Sequence, residues 1–381
     1  MADVLDGVAL APPPVVPGSG GGGLRIVLSN ASYAWGGVHV VTEALALGLR
    51  ARGHAVTVFC RPDSPLQARL TGRVPLEPVA RGMDLSPLAI ARAAAALRRH
   101  RPDVVLTLME KDVRLTGPAA RALGIPVVVR RANDRPLKRT PHFRVLYGWL
   151  PALHVANSAS TRRTMLQSAP WLRPERVRMI HNGVDAAALD TLSPADLGLP
   201  PGALGIGFVG RFDERKGILD LARAWPAVAA ALPHTHLVMV GTGPEEAGAG
   251  ALLAVAPRVR WLGYRADAVA VIKALDVLAV PSHWEGFGLV VAEALAVGTP
   301  VVAADASSLP EIVRPGAEGL LVPPRDPDAL AAALVTLARD DAMRARMAAA
   351  GRARIRAEFS LAAMIDRYEA LLTEVVSAHR P

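Results

Sequence analysis

The chain has one cysteine, Cys60, in 381 residues. That excludes an intramolecular disulfide and a cysteine-based zinc site, and is compatible with a reducing cytosol. No stretch is long and apolar enough to span a membrane. The longest mostly apolar run, residues 289–304, is too short and contains Glu293, Gly298 and Pro300. Nor is a signal peptide expected, because Asp3 and Asp6 precede the first basic residue, Arg25. Aromatics are only 4% of residues, which argues against base-stacking nucleic-acid modules. There is no Gly-x-Ser-x-Gly elbow, no His-Glu-x-x-His pair and no Walker loop, so a serine hydrolase, a zincin and a P-loop enzyme are disfavoured.

What is present is length, apolarity and basic charge. At this length two domains are expected, and 51% hydrophobic residues can fill two cores. Residues 1–190 carry 25 Lys+Arg against 13 Asp+Glu, while residues 191–381 carry 18 against 21. The basic half points to an anionic partner. Residues 1–23, rich in Pro and then Gly, read as a disordered tail.

Hydrophobic periodicity alternates between strand and helix. Leu24 to Ser29 reads as a strand. The helix opened by Gly36-Gly37 has Val38, Val41, Leu45 and Leu49 on one stripe, with Gly53 as its stop, and Ala55 to Cys60 is the next strand. Helices over 86–100 and 112–123 and strands over 104–108, 127–130, 153–156 and 177–180 continue the pattern. Residues 191–203, with Pro200-Pro201-Gly202, have linker composition. A second series follows, with strands over 205–209, 235–240, 259–262, 277–280 and 300–303. Helices are expected over 218–231 and 268–275, and residues from 326 on are nearly all helical. This is an α/β chain with two doubly wound parallel sheets.

The chain centres on residues 276–304. Val277 to Val280 reads as a buried strand. Gly286 and Gly288 turn the backbone into a helix, Gly298 ends that helix and Pro300 stops its continuation. Glu285 and Glu293 flank the turn. The amides of Gly286, Phe287, Gly288 and Leu289 lie at a helix N-terminus, where an anion is favoured. Phosphate there, with a carboxylate on each side for sugar hydroxyls, outlines a nucleotide-sugar site. Arg211 and Lys216 follow a strand and open a helix, and are placed to meet a diphosphate that gains charge as it leaves.

Glu285 and Glu293, with seven residues between them, stand within Glu-Gly-Phe-Gly-Leu and Glu-Ala-Leu-Ala-Val-Gly-Thr-Pro. This stretch resembles the signature of retaining glycosyltransferase family 4, which has the GT-B fold. The segment from Gly210-Arg211 to Lys216-Gly217 resembles that family's basic motif. The resemblance is strong in the C-terminal half and patchy in the N-terminal half. It implies an acceptor domain over 24–190 and a donor domain over 191–359, facing across a cleft, with a last helix over 360–379 crossing back onto the first domain. It further implies transfer of a sugar from a nucleoside diphosphate sugar to a hydroxyl acceptor, with no cofactor and no catalytic metal. A UDP-sugar is favoured over a GDP-sugar. The acceptor is expected to be a glycan or lipid-linked molecule in cell-envelope synthesis, with peripheral contact at an anionic inner membrane face.

By the same resemblance Arg211, Lys216 and Glu285 are catalytic, and Glu293 accepts from ribose hydroxyls. Gly241 and Gly243 either line the donor site or make a tight turn. Leu262 and Tyr264 either border the base or pack, and Gly36-Gly37 approaches the donor or is a turn. Where many members have a histidine near the acceptor, this chain has Arg130-Arg131-Ala132-Asn133-Asp134. Arg131, Asn133 and Asp134 are therefore acceptor-contact candidates, with a turn and surface charge as the other reading, and Glu110, also just past a strand end, is a further one.

Two other classes stand beside this one. An NAD-dependent oxidoreductase could use the same Rossmann halves, but neither carries the full Gly-x-Gly-x-x-Gly fingerprint with its acidic partner. A nucleic-acid binder could use the basic half, but no recognised module is present.

Overall fold

The computed structural model describes residues 23–33, 35–79 and 86–379. The expected tail therefore lies, but for Gly23, outside the described residues. The contacts divide the chain into two units, one of residues 23–182 with 361–379 and one of residues 183–360.

The first unit is a seven-stranded parallel sheet. Its strands are β1 (Arg25–Asn30), β2 (Ala55–Cys60), β3 (Leu76–Glu77), β4 (Val104–Thr107), β5 (Val127–Arg131), β6 (Leu153–Ala156) and β7 (Val177–Met179), in spatial order β3-β2-β1-β4-β5-β6-β7. β4 and β5 are buried along their whole length, as expected of parallel strands covered on both faces. Helix Gly37–Ala51 covers one face with Val41, Leu45 and Leu49 fully buried. Helix Glu110–Ala122 covers the other.

The last helix, Leu361–His379, belongs to this unit. It buries Met364, Ile365, Tyr368, Leu371, Leu372, Val375 and Val376 in the core under β1 and β4. Burial of each large apolar side chain contributes about 1.5–3 kcal/mol. A Cβ on Gly48 would lie 2.1 Å from Ile365 Cδ1, so glycine lets the two helices approach closely. Arg52 pairs with Asp366 and Glu369, and His54 lies 3.0 Å from Glu369.

The second unit is a six-stranded parallel sheet. Its strands are β8 (Leu204–Val209), β9 (Thr235–Val240), β10 (Val259–Gly263), β11 (Val277–Val280), β12 (Val301–Ala304) and β13 (Gly319–Val322), in order β10-β9-β8-β11-β12-β13. Helix Ile218–Ala231 packs on one face, anchored by the fully buried Trp225, whose Nε1 donates to the Pro257 carbonyl at 2.9 Å. Helix Leu289–Val297 packs on the other. It is apolar nearly all round and buried on most sides, as such a helix must be. Glu293 is its single charged residue.

The periodicity missed β3, β13 and the segment Pro141–Trp149, a short helix running into one π turn. A two-residue strand has no period. β13 is Gly-Leu-Leu-Val between Glu318 and Pro323, opening on glycine and with one β-branched residue, a weak strand signal.

Candidate active site

The second sheet reverses its strand order between β8 and β11, and ligands of such sheets bind where order reverses, at the strand C-terminal ends. The loops leaving these two strands are locked together. After β8, the Asp213 carboxylate accepts the Lys216 amide at 3.2 Å and forms a single 3-10 turn. Gly217 then takes φ 66, and a Cβ there would lie 2.0 Å from the Pro281 carbonyl oxygen. Only glycine permits that approach. From the other side, the His283 amide donates to the Arg215 carbonyl at 2.8 Å.

This zipper brings Lys216 Nζ to 2.5 Å from Glu285 Oε1. Ser282 Oγ donates to the same oxygen at 3.0 Å. Glu285 is 6% exposed, so its charge depends on these donors. Oε2 has no hydrogen-bond partner among the described residues. Arg211 keeps 61% of its side chain exposed, 3.8 Å from Asp213. Arg215 pairs with Asp213 at 3.1 Å and stacks over Trp284 at 4.9 Å.

Past Glu285 the chain turns through Gly288 (φ 93) into helix Leu289–Val297. The Phe287 ring is buried against Phe359, with centroids 5.8 Å apart. The amides of Leu289 and Val290 have no partner among the described residues, as the first turn of a helix requires. Two turns beyond Glu285, Glu293 is half-buried and has no hydrogen-bond or ion-pair partner among the described residues. Burial without compensation pushes its carboxyl up to about 7.

Gly241 and Gly243 have a packing reason. A Cβ on Gly241 would stand 1.8 Å from the Gly210 carbonyl oxygen, and one on Gly243 2.2 Å from that of Phe212. Hydrogen bonds from the Phe212 amide to Thr242 and from the Gly241 amide to Gly263 fasten the loops after β8, β9 and β10 together. Leu262 is partly buried against the core, whereas Tyr264 is 55% exposed.

The acceptor candidates lie in the first unit. Gly36 is extended (φ 177), with open space where a Cβ would stand, and Gly37 starts its helix. Arg131 is buried and donates to the Arg135 carbonyl at 2.5 Å. Asn133 accepts from the Arg135 amide at 3.4 Å, a turn-forming bond. Asp134 accepts from Ser160 at 2.6 Å while its other oxygen is buried with no partner among the described residues. Glu110 pairs with Arg114 at 2.8 Å. His39 was passed over in the sequence. It is buried, stacks on Trp35 at 5.2 Å, and its Nδ1 has no hydrogen-bond partner among the described residues; burial lowers its pKa. Its only signal was standing two residues after Gly37. Asp220, His283 and Arg325 were also missed, because partners 63 and 42 residues apart leave no local pattern; Ser282, three residues before Glu285, was read only as the end of a strand. Among the described residues no group of three His, Cys, Asp or Glu could hold a metal ion.

Two family models match this chain, one described as Glycosyltransferase Family 4 over residues 35–188 and one described as Glycosyl transferases group 1 over residues 203–340. A phosphatidyl-myo-inositol mannosyltransferase of Mycobacterium leprae is 32% identical over 84% of this chain and 88% of its own. A D-inositol 3-phosphate glycosyltransferase of Mycolicibacterium gilvum is 39% identical over 57% of this chain and 47% of its own. The crystal structure of Anabaena Alr3699/HepE in complex with UDP and glucose superposes with a TM-score of 0.80 at 23% identity, covering 92% of this chain and 99% of that one.

Proposed function

The chain belongs to glycosyltransferase family 4, as a nucleotide-sugar-dependent enzyme of the retaining class with the GT-B fold, and on that premise we propose how its second unit holds the donor. Lys216 and Arg211, with the amides at 286–289, hold the diphosphate. Glu293 accepts hydrogen bonds from ribose hydroxyls, and Glu285 Oε2 accepts from the transferred sugar. The observations that carry this are the Lys216–Glu285 pair and, eight residues further along the chain, the half-buried Glu293 carboxylate with no partner among the described residues. Donor hydroxyls and phosphates are the groups that would complete both.

In the transfer the anomeric carbon–phosphate oxygen bond breaks as the acceptor oxygen attacks from the same face. The departing diphosphate takes the acceptor's proton, so no protein nucleophile is needed. Lys216 and Arg211 offset the charge that builds on the leaving group, where a preorganised cation acts most strongly. We favour a UDP-sugar over a GDP-sugar. Thermal unfolding with UDP, GDP, ADP or NAD checks this: a ligand at 100 times its Kd adds about 2.7 kcal/mol. UDP is expected to give the largest shift, and a shift with NAD alone would replace this reading by the oxidoreductase one.

For the acceptor we favour a lipid-linked hydroxyl in cell-envelope glycan or glycolipid synthesis, reached from the cytoplasmic membrane face. The relative from Mycobacterium leprae is named for a phosphatidylinositol substrate. In this chain the support is the basic half and the loop after β1. There Tyr33 is 56% exposed under Arg61 at 5.1 Å, and Trp35 lies under Arg69 at 4.9 Å. Aromatic rings with cations suit an anionic headgroup layer. No described helix is long and apolar enough to cross a membrane. Co-sedimentation is expected with anionic vesicles and not with neutral ones, and equal binding to both would sink the membrane reading.

A further inference from the structure

A second bridge joins the chain segments that carry Lys216 and Glu285. Asp220 lies four residues after Lys216, in the first turn of helix Ile218–Ala231, where its amide donates to the Gly217 carbonyl at 3.0 Å. His283 lies two residues before Glu285. Their side chains meet, with Nε2 2.6 Å from Asp220 Oδ2. Both are nearly buried, at 9% and 11% side-chain exposure. Arg325, from the loop after β13, donates from Nε to His283 Nδ1 at 3.3 Å. Arg223 donates to the other Asp220 oxygen at 3.2 Å.

The partners assign the ring's protons. A carboxylate only accepts, so Nε2 carries the hydrogen; a guanidinium only donates, so Nδ1 presents its lone pair. A neutral imidazole satisfies both neighbours at once. The ring therefore sits in one orientation, and the His283 amide is bound to the Arg215 carbonyl at 2.8 Å as well.

We propose that His283 is a positioning residue for the transfer: clamped between Asp220 and Arg325, it keeps the Glu285 loop in register with the Lys216 loop when the donor binds. This rests on the donor-site reading above. Without ligand, Lys216 and Glu285 hold each other. A diphosphate competes for the Lys216 ammonium, and the Glu285 loop then loses its ionic tie to the β8 loop. The Asp220–His283 bridge joins the same two chain segments, and neither residue is among those assigned above to the phosphates or the sugar, so the bridge is expected to persist through that exchange. Ser282 secures only the Glu285 side chain to its own loop.

The test compares His283→Phe, which keeps the ring and loses both nitrogens, with His283→Gln, whose amide nitrogen can still donate to Asp220. The full chain is assayed for nucleoside diphosphate released from UDP-glucose or GDP-mannose with acceptor, and for UDP affinity by calorimetry. A misplacement of ~1 Å costs on the order of 100-fold. His283→Phe is expected to lose about 10- to 100-fold in kcat, with UDP Kd changed less than about threefold, and His283→Gln to regain at least about fivefold. Asp220→Ala with His283→Phe should lose no more than the worse single variant, since both break one bridge. Should Phe not fold, Arg325→Ala, at an exposed residue, is expected to lower kcat about threefold with UDP affinity kept. Phe matching wild type, Gln no better than Phe, additive losses, or an Arg325→Ala enzyme with unchanged kcat each overturn the assignment. A wild type that turns over neither donor and binds neither UDP nor GDP instead overturns the donor-site reading itself.

Discussion

Lys216→Met is expected to lower kcat/KM at least ~100-fold, the scale of losing one preorganised charge contact in a transition state. Methionine keeps the length and apolar stem of lysine and removes the charge. Two losses follow from one atom. The leaving diphosphate loses its cation. Glu285, 6% exposed, keeps only Ser282 as a donor to its charged oxygen. Breaking a buried pair by removing one partner costs about 3–5 kcal/mol, so the thermal midpoint of Lys216→Met should fall as well. The double variant with Glu285→Gln separates the two effects. It is expected to recover most of the stability, since no buried charge is left alone, and none of the activity. Steady-state kinetics beside a thermal melt checks both, and turnover of Lys216→Met within about threefold of wild type would remove this residue from the chemistry.

Glu293→Gln is expected to move stability and binding in opposite directions. The folded carboxyl titrates at about 7, against 4.5 ordinarily. A carboxyl whose pKa is raised on folding holds a proton that the unfolded chain has released. Its favourable contribution is therefore complete below pH 4.5, falls as pH rises through 4.5 to about 7, and above that is a penalty of at most about 3 kcal/mol. The neutral glutamine escapes the penalty, so the ligand-free variant should melt higher than wild type at pH 8 and equal to it near pH 4. Nucleotide binding reverses the ranking. Ribose hydroxyls that donate to Glu293 favour its charged form, so binding UDP near pH 6 should release a proton, and affinity should rise with pH up to about 7. Calorimetry in two buffers of different ionisation enthalpy measures that release. The variant should lose at least ~100-fold in kcat/KM. No proton release together with unchanged affinity in Glu293→Gln would take the residue out of the ribose site.

The two predictions share a cause. Both carboxylates stand where burial makes charge costly, one compensated by lysine and one by nothing in the described chain. Stability spent on poised groups is common at functional sites. Glu293 is the clearer case, because helix Leu289–Val297 would pack as well with an apolar residue in its place.

Much of this was legible in the sequence because it is local. The alternation of apolar runs and helical stripes located eleven of the thirteen strands, and β2, β6, β9 and β11 have the expected ends. The spacing of Glu285 and Glu293 around two glycines marked the candidate site, and Arg211 and Lys216 were readable as basic residues following a strand. Asn133 was readable both as a ligand and as a turn, and its bond to the Arg135 amide, two residues on in the same loop, is the turn-forming one.

By itself the sequence determined the two α/β halves, the helix N-terminus beneath the site and the identity of the charged residues near it, since each follows from periods and spacings within about thirty residues. Tertiary structure alone decided which charges meet. Lys216 and Glu285 are 69 residues apart, and Asp220 and His283 are 63. They are brought together because β8 and β11 are neighbours in the sheet, a pairing set by the global packing of parallel strands and by the close approach that Gly217 allows to Pro281. The elevated pKa of Glu293 is likewise a property of its surroundings, because the same glutamate on an exposed helix face would titrate in the ordinary range.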